Sequence, residues 1–223
     1  MRSAAWYGSD LTNDLKGAQL LVYLEFISRR PGVGLHEFHA VVGGGQSGWA
    51  GDYGDDVTVL NVGRSWRIGP EPEYLCAWYT PTASVDRLDE WERVFRSGDA
   101  DAYEEPFRLA ARIDAAGCYE PMLEPVVGSK GKYYAEWFDL ADGAEHDEVR
   151  SWYEERRESH PDLDLNLLID RIGLLGPDPR GLAVWGIGSW GAAETVARET
   201  VAQDSPIRPV TASFYADFGE EQL

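Results

Sequence analysis

The sequence predicts an α+β protein made of two tandem copies of one βαββαβ unit, with antiparallel sheets packed face to face. Three observations carry this expectation. First, "GPEPEYLCAWYT" at 69–80 aligns without gaps to "GPDPRGLAVWGI" at 176–187, an offset of 107. Both segments read Gly-Pro-acid-Pro, two variable residues, Leu, two more, then Trp. Second, each copy runs through the same order of hydrophobic patterns. Third, the first strand carries Val22, Leu24 and Phe26 on one face and Leu21 and Tyr23 on the other. A sheet with one wet face has no use for apolar residues on both.

The repeat extends beyond the turn. The same offset pairs Arg64 with Arg171 and Leu60 with Leu167. Upstream, "VYLEFI" (22–27) matches "YYAEWF" (133–138) at an offset of 111, and "HEF" (36–38) faces "HDE" (146–148). Each unit is about 110 residues, the size of one small domain. The division falls between 128 and 129, giving repeats at 1–128 and 129–223.

In the first copy, the aromatic and aliphatic run 18–28 predicts a strand, and 33–43 a short helix stopped by glycine. The segment 43–56 is too Gly-rich for regular structure and is expected to be a loop. Strands are expected at 57–68 and 73–80. Val85, Leu88, Trp91 and Phe95 form a stripe at helical spacing over 84–98. The Ala-rich segment that follows predicts a further helical piece, and 118–127 an edge strand because of its prolines. The second copy gives strand 132–139, helix 145–159, strands 164–173 and 181–187, helix 191–203 and strand 208–218.

This is the ferredoxin-like split order, twice. Two such sheets stacked on each other bury both apolar surfaces and make an intrachain α+β barrel. In element order and repeat, the chain resembles the dimeric α+β barrel superfamily in a single-chain form. Within it, "WYEERRESH" (152–160) is similar to the Trp-Tyr…His segment of EthD-like and antibiotic-biosynthesis-monooxygenase-like members. The first copy departs, with "HEFHAVV" and no Trp-Tyr pair. The resemblance implies pockets between sheet and helices. It also implies a choice among cofactor-free monooxygenases, isomerases, cyclases and haem-binding proteins, which the fold does not make.

The net charge of −19 in 223 residues disfavours nucleic acid and anionic membrane surfaces as partners. With no signal-like N-terminus and only Cys76 and Cys118, the expectation is a cytoplasmic protein with reduced thiols. A small molecule is the expected ligand, and the chain is expected to be a monomer with a pseudo-dimeric barrel or a homodimer.

Four histidines are the first candidates for acid–base work. His39, beside Phe38 and an apolar run, is the better placed for a tuned pKa. His160 follows a charged helix end and is implied as a pocket residue by the EthD-like segment. Arg64 and Arg171 sit in otherwise apolar strands, so each should serve a substrate anion or pair with the repeat-equivalent Glu25 and Glu136. Trp49, Trp66, Tyr79, Trp152 and Tyr153 are candidate walls for a flat ligand. No spacing is diagnostic of a metal site, and no cofactor is expected, with haem as the alternative through His39 or His160. The leading expectation is a small-molecule enzyme acting on an aromatic or polyketide-like substrate by His-assisted proton transfer. A non-catalytic binding protein is the other alternative. Gly186, Gly188 and Gly191 match G-x-G-x-x-G, but only 32 residues follow, too few for a dinucleotide fold.

Overall fold

A computed structural model describes residues 20–52, 57–69, 72–80, 85–128, 131–200 and 205–217. The first unit contains β1 (Leu21–Arg29), α1 (Leu35–Asp52), β2 (Val57–Arg64), β3 (Tyr74–Thr80), α2 (Arg87–Ser97), α3 (Asp101–Ala110) and β4 (Ala111–Pro121). The second contains β5 (Lys132–Leu140), α4 (His146–Ser159), β6 (Asp164–Arg171), β7 (Gly181–Gly186), α5 (Trp190–Thr200) and β8 (Ile207–Asp217). The 128/129 division lies in the connection between β4 and β5.

All eight strands form one closed barrel in the order β1-β3-β2-β8-β5-β7-β6-β4. Each unit contributes four neighbours in the split order, and every pairing is antiparallel. The two sheets face each other as expected and also join at both edges. One seam pairs Val62, Gly63 and Arg64 of β2 with Asp217, Ala216 and Tyr215 of β8. The other pairs Ile169, Asp170 and Arg171 of β6 with Pro121, Glu120 and Tyr119 of β4. These registers are repeat-equivalent, so the seams are two copies of one junction.

Beside each seam, the β-hairpin of one unit leans on the last strand of the other. Ser65 N donates to Phe214 O at 2.7 Å, and Ile172 N donates to Cys118 O at 2.9 Å. Returning bonds run from Phe214 N to Ile68 O at 3.3 Å and from Cys118 N to Leu175 O at 2.7 Å. Gly69 and Gly176, which open the two repeated segments, lie at this junction.

Strand parity sorts the core into three layers. Val22, Leu24 and Phe26 of β1 point into the barrel, where they meet Tyr133, Ala135 and Trp137 of β5. On the outer face of the first unit, Ile27, Tyr74, Cys76 and Trp78 pack against Phe38 and Val42 of α1 and Trp91 of α2. On that of the second, Tyr134, Phe138 and Trp185 pack against Val149 and Tyr153 of α4 and Val196 of α5. Cys76 and Cys118 are free thiols, both buried.

The helices start and stop for local reasons. A reciprocal capping box between Glu145 and Glu148 opens α4, and Gly98 in the left-handed region (φ 85°) closes α2. Gly186 ends β7 and α5 begins at Trp190, so the G-x-G-x-x-G stretch is a strand-to-helix crossover.

Two expectations fail. The segment expected as a loop at 43–56 is helical through Asp52, because α1 is held by the burial of Phe38 and Val42 and glycine only weakens a helix. The strand placed at 118–127 begins at Ala111 and is not an edge, since it pairs with both β1 and β6. Its alanines favour helix, but barrel closure requires them in the sheet. Among the described residues α3 has no counterpart, since α5 ends at Thr200 and β8 starts at Ile207.

Gly69 sits at φ +90°, and a Cβ there would fall on the Ser213 side chain and the Ala212 carbonyl across the seam. Gly32 has φ +87° with nothing within 4 Å. Gly69→Ala therefore carries backbone strain and overpacking, and should cost at least about 2 kcal/mol. Gly32→Ala carries strain alone and should cost about 1 kcal/mol. Urea denaturation of the two variants side by side checks the difference.

Candidate active site

Glu25 in β1 and Glu136 in β5 are repeat-equivalent, and both point out of the barrel toward their own unit's helices. Each accepts a hydrogen bond from the equivalent tryptophan of the neighbouring strand. Trp78 Nε1 donates to Glu25 Oε2 at 3.1 Å, and Trp185 Nε1 to Glu136 Oε1 at 2.9 Å. Beyond this shared pair, the two sites differ.

In the second unit the carboxylate is fully enclosed. Arg156 Nη1 from α4 donates to Glu136 Oε1 at 2.8 Å. Arg156 Nη2 donates to Thr200 Oγ1 at 2.7 Å, and the Thr200 hydroxyl donates to Glu136 Oε2. The guanidinium stacks over Trp152, 4.3 Å from its ring centroid, and lies 5.2 Å and 5.3 Å from those of Tyr153 and Trp185. Glu136, Arg156 and Thr200 are all buried. This charge pair is structural, and it fills the space between sheet and helices.

In the first unit that space is open. α1 contains neither Arg nor Lys, so no guanidinium reaches Glu25 from the helix that corresponds to α4. Among the described residues, Trp78 is the only hydrogen-bond partner of Glu25. The stripe Leu88, Trp91 and Phe95 of α2 has the spacing of Ala193, Val196 and Thr200 of α5. Phe95, which matches Thr200 in that stripe, lines the same space as Glu25. The result is a cleft of about 420 Å³ with Glu25 and Trp78 on the sheet side. Phe95 of α2 and Tyr103 and Phe107 of α3 form walls. A smaller lobe of about 260 Å³ continues from Glu25 toward Tyr23 and Trp91. Tyr23 and Trp91 meet edge-to-face at 5.2 Å.

Burial in these apolar walls raises the Glu25 pKa from 4.5 to about 7, against the lowering effect of the Trp78 hydrogen bond. The Tyr23 hydroxyl is pushed up as well, first by burial and then by the Glu25 charge. Glu25 is thus a carboxyl that gains and loses its proton near neutral pH inside an aromatic cleft, the setting of a general acid–base residue.

The residues predicted from sequence are dispersed. His39, on α1, is half-buried against the Phe38 ring at 5.8 Å. Its pKa is lowered to about 4, first by burial and then by Arg29 and His36, so it is neutral at pH 7. His160 caps α4, and its Nε2 meets Glu199 Oε2 at 2.8 Å. Neither histidine lines either lobe of the cleft.

Arg64 and Arg171 pair with neither Glu25 nor Glu136. Each bonds the carbonyl of a glycine in its own hairpin. Arg64 Nη1 donates to Gly69 O at 3.3 Å, and Arg171 Nη1 to Gly176 O at 3.0 Å and to Asp178 Oδ1 at 2.7 Å. Trp66 is exposed at a hairpin tip, and Tyr79 packs against the barrel interior. Trp152 and Tyr153 belong to the packing around Arg156. The side chain of Trp49 lies outside the described residues.

Sequence reading treated Glu25 only as a partner for arginine. A sharper signal was present: a Glu inside an apolar strand, repeated at Glu136, with arginine available from one facing helix and absent from the other.

Haem, the alternative expected through His39 or His160, finds no fit at either histidine: the space beside α4 at His160 is filled by Trp152, Tyr153, Arg156 and Trp185, and His39 does not line the cleft of the first unit. Among the described residues no three His, Cys, Asp or Glu side chains converge as metal ligands. No helix among them is long and apolar enough to cross a membrane.

No protein-family model matches the sequence, and no curated protein does. Solved structures do match over nearly the whole chain. A heme-binding protein from Thermus thermophilus has a TM-score of 0.56 at 13% identity, covering 89% of this chain and 92% of its own. A chlorite dismutase variant from Candidatus Nitrospira defluvii, in complex with cyanide, has a TM-score of 0.54 at 8% identity, covering 91% and 93%. An anthrone oxidase-like protein has a TM-score of 0.52 at 9% identity, covering 90% and 92%. At such identities the likeness is one of fold, and the fold is that of the dimeric α+β barrel superfamily.

The contrast between the two carboxyls is measurable. Arg156→Leu leaves Glu136 buried without its counter-charge and should cost about 3–5 kcal/mol in chemical denaturation. Adding Glu136→Leu should restore a substantial part of that loss, since a buried pair replaced on both sides is close to neutral.

Proposed function

We propose that the chain is a small-molecule enzyme that moves a proton on a flat, largely apolar carbonyl compound, with Glu25 as the acid–base residue. The observation that carries this reading is the Glu25 carboxyl, which lines an aromatic cleft and lacks the guanidinium that closes its repeat-equivalent. The expected reaction class, proton transfer on an aromatic or polyketide-like substrate by an isomerase, a cyclase or a cofactor-free monooxygenase, is retained. The histidines are replaced by a carboxyl in the catalytic role.

The geometry supports a short sequence of steps. A planar ligand enters between Trp78 and the side chains of Phe95, Tyr103 and Phe107, where its faces meet rings. Trp78 holds Oε2 of Glu25, and Oε1 has no partner among the described residues. That oxygen, as carboxylate, takes a proton from the carbon next to the carbonyl. The C–H electron pair passes into the ring system as an enolate, and Glu25 becomes the neutral acid. Return of the proton to the same or another carbon regenerates the carboxylate. A base that titrates near 7 can run both directions at neutral pH.

The test uses anthrone, an aromatic ketone with an acidic methylene, in buffered D₂O. Exchange of the methylene protons, followed by NMR, should be faster with the protein than in buffer alone. The rate should rise with pH through about 7 and level off above it, since the working form is the carboxylate. Glu25→Gln should abolish the acceleration, and His39→Gln and His160→Gln should not. Acceleration that survives Glu25→Gln would remove Glu25 from the role.

Stability follows the same titration with the opposite sign. The Glu25 pKa is raised in the folded state, so the neutral acid favours folding below about 4.5. That contribution is lost as pH rises through about 7. Relative to wild type, Glu25→Gln should therefore gain stability between pH 5 and pH 8, by on the order of 1–3 kcal/mol, read from urea midpoints at the two pH values.

A further inference from the structure

We propose that the cleft takes a substrate carrying an anionic group, a carboxylate above all, at the end opposite its reacting carbon, and that Arg30 is the residue that selects it. This rests on the reading of the cleft as a small-molecule site, and it names the substrate class more closely.

Arg30, Arg108 and Arg112 all line the cleft, although the chain carries 39 acidic residues against 20 basic ones. Two of the three are neutralised locally. Arg108 pairs with Glu104 one helical turn away, and Arg112 pairs with Asp114. Arg30 is different. Among the described residues no carboxylate lies within ion-pair distance of it.

Its guanidinium is nevertheless positioned. Arg30 Nε donates to Ala111 O at 2.9 Å, and its backbone N donates to Ala110 O at 3.0 Å. Both acceptors lie at the junction of α3 and β4, so the side chain is tied to the wall that only the first unit possesses. With Nε anchored, the two terminal nitrogens are left for a ligand, and a planar fork of N–H groups matches a carboxylate.

Arg30 also sits apart from the acid–base residue. The positive charges of the cleft do not pull down the Glu25 pKa, whose shift comes from burial and the Trp78 bond. The cleft therefore has a neutral-to-acidic end on the sheet and a cationic end where β1 leaves it. A substrate spanning both places its acidic C–H at Glu25 and its anion at Arg30. An anion docked at Arg30 leaves the protonation of Glu25 to the apolar walls, so binding and proton transfer are served by separate groups.

Two probes of one shape test this, anthraquinone-2-carboxylate and its neutral 2-hydroxymethyl analogue, titrated into the full chain by isothermal calorimetry. Wild type should bind the carboxylate at least ten-fold more tightly, and the margin should shrink as salt is raised. Arg30→Gln should erase the difference by weakening the carboxylate alone. Arg198→Gln, on α5 of the other unit, should leave it intact. Equal affinities in wild type, no binding of either probe, or a preference that survives Arg30→Gln overturns the proposal. The two readings separate cleanly. An Arg30-dependent preference without anthrone exchange keeps the anion subsite and removes the reaction. Glu25-dependent exchange without a preference keeps the reaction and removes the subsite.

Discussion

Closure of the sheet is the constraint on which the rest of this molecule depends. A four-stranded sheet from either unit has two edges with unpaired backbone groups. Here each edge is satisfied by the other unit, through β2 with β8 and β6 with β4. Closure makes the barrel interior a core that side chains must fill, and the cavity left there, about 420 Å³ beside Phe26, Ala115 and Trp137, is shared by both units. It also turns the outer face of each sheet toward its own helices. Any site between sheet and helix therefore belongs to one unit, and the two units are free to diverge there without disturbing the barrel.

That freedom is visible in one pair of residues. Glu25 and Glu136 occupy the same place on the two sheets and keep the same tryptophan partner. A buried carboxylate is costly unless it is paired, and the second unit supplies Arg156 and Thr200 to pair it. The first unit supplies neither. It has Phe95 of α2 beside the carboxyl and adds α3 as an extra wall. The carboxyl responds to the same desolvation by holding its proton to a higher pH. One half of the molecule pairs its carboxylate with a guanidinium, and the other leaves it facing a cleft. The second unit thus acts as an internal reference for what the first unit lacks.

Much of the architecture was legible because it follows from short-range patterns. Gly-Pro turns, alternating strands and the α2 stripe are local, and the repeat doubled each signal. The apolar residues on both faces of β1 already required layers on both sides of the sheet. Errors arose where tertiary packing outweighs local preference. The alanines of β4 favour helix, yet pairing with β1 puts them in a strand; the glycines of α1 weaken a helix that Phe38 and Val42 hold in place. Arg64 and Arg171 were read as partners of Glu25 and Glu136, but each holds a carbonyl of its own hairpin, and Arg171 the Asp178 carboxylate as well. Hairpin geometry, invisible in the linear pattern, brings those carbonyls within reach.

By itself the sequence determined that the chain is a duplicated βαββαβ unit with both sheet faces buried, because strand periodicity and turn chemistry are encoded residue by residue. It also placed a glutamate in an apolar strand of each copy. Only the tertiary structure decided which glutamate is enclosed and which faces a cleft. That outcome depends on whether a helix distant in sequence brings a guanidinium into a space a few ångströms wide, and on what the neighbouring helices put beside it. Desolvation and charge pairing act through space, so the same residue in the same local sequence is a structural ion in one unit and a titratable acid in the other.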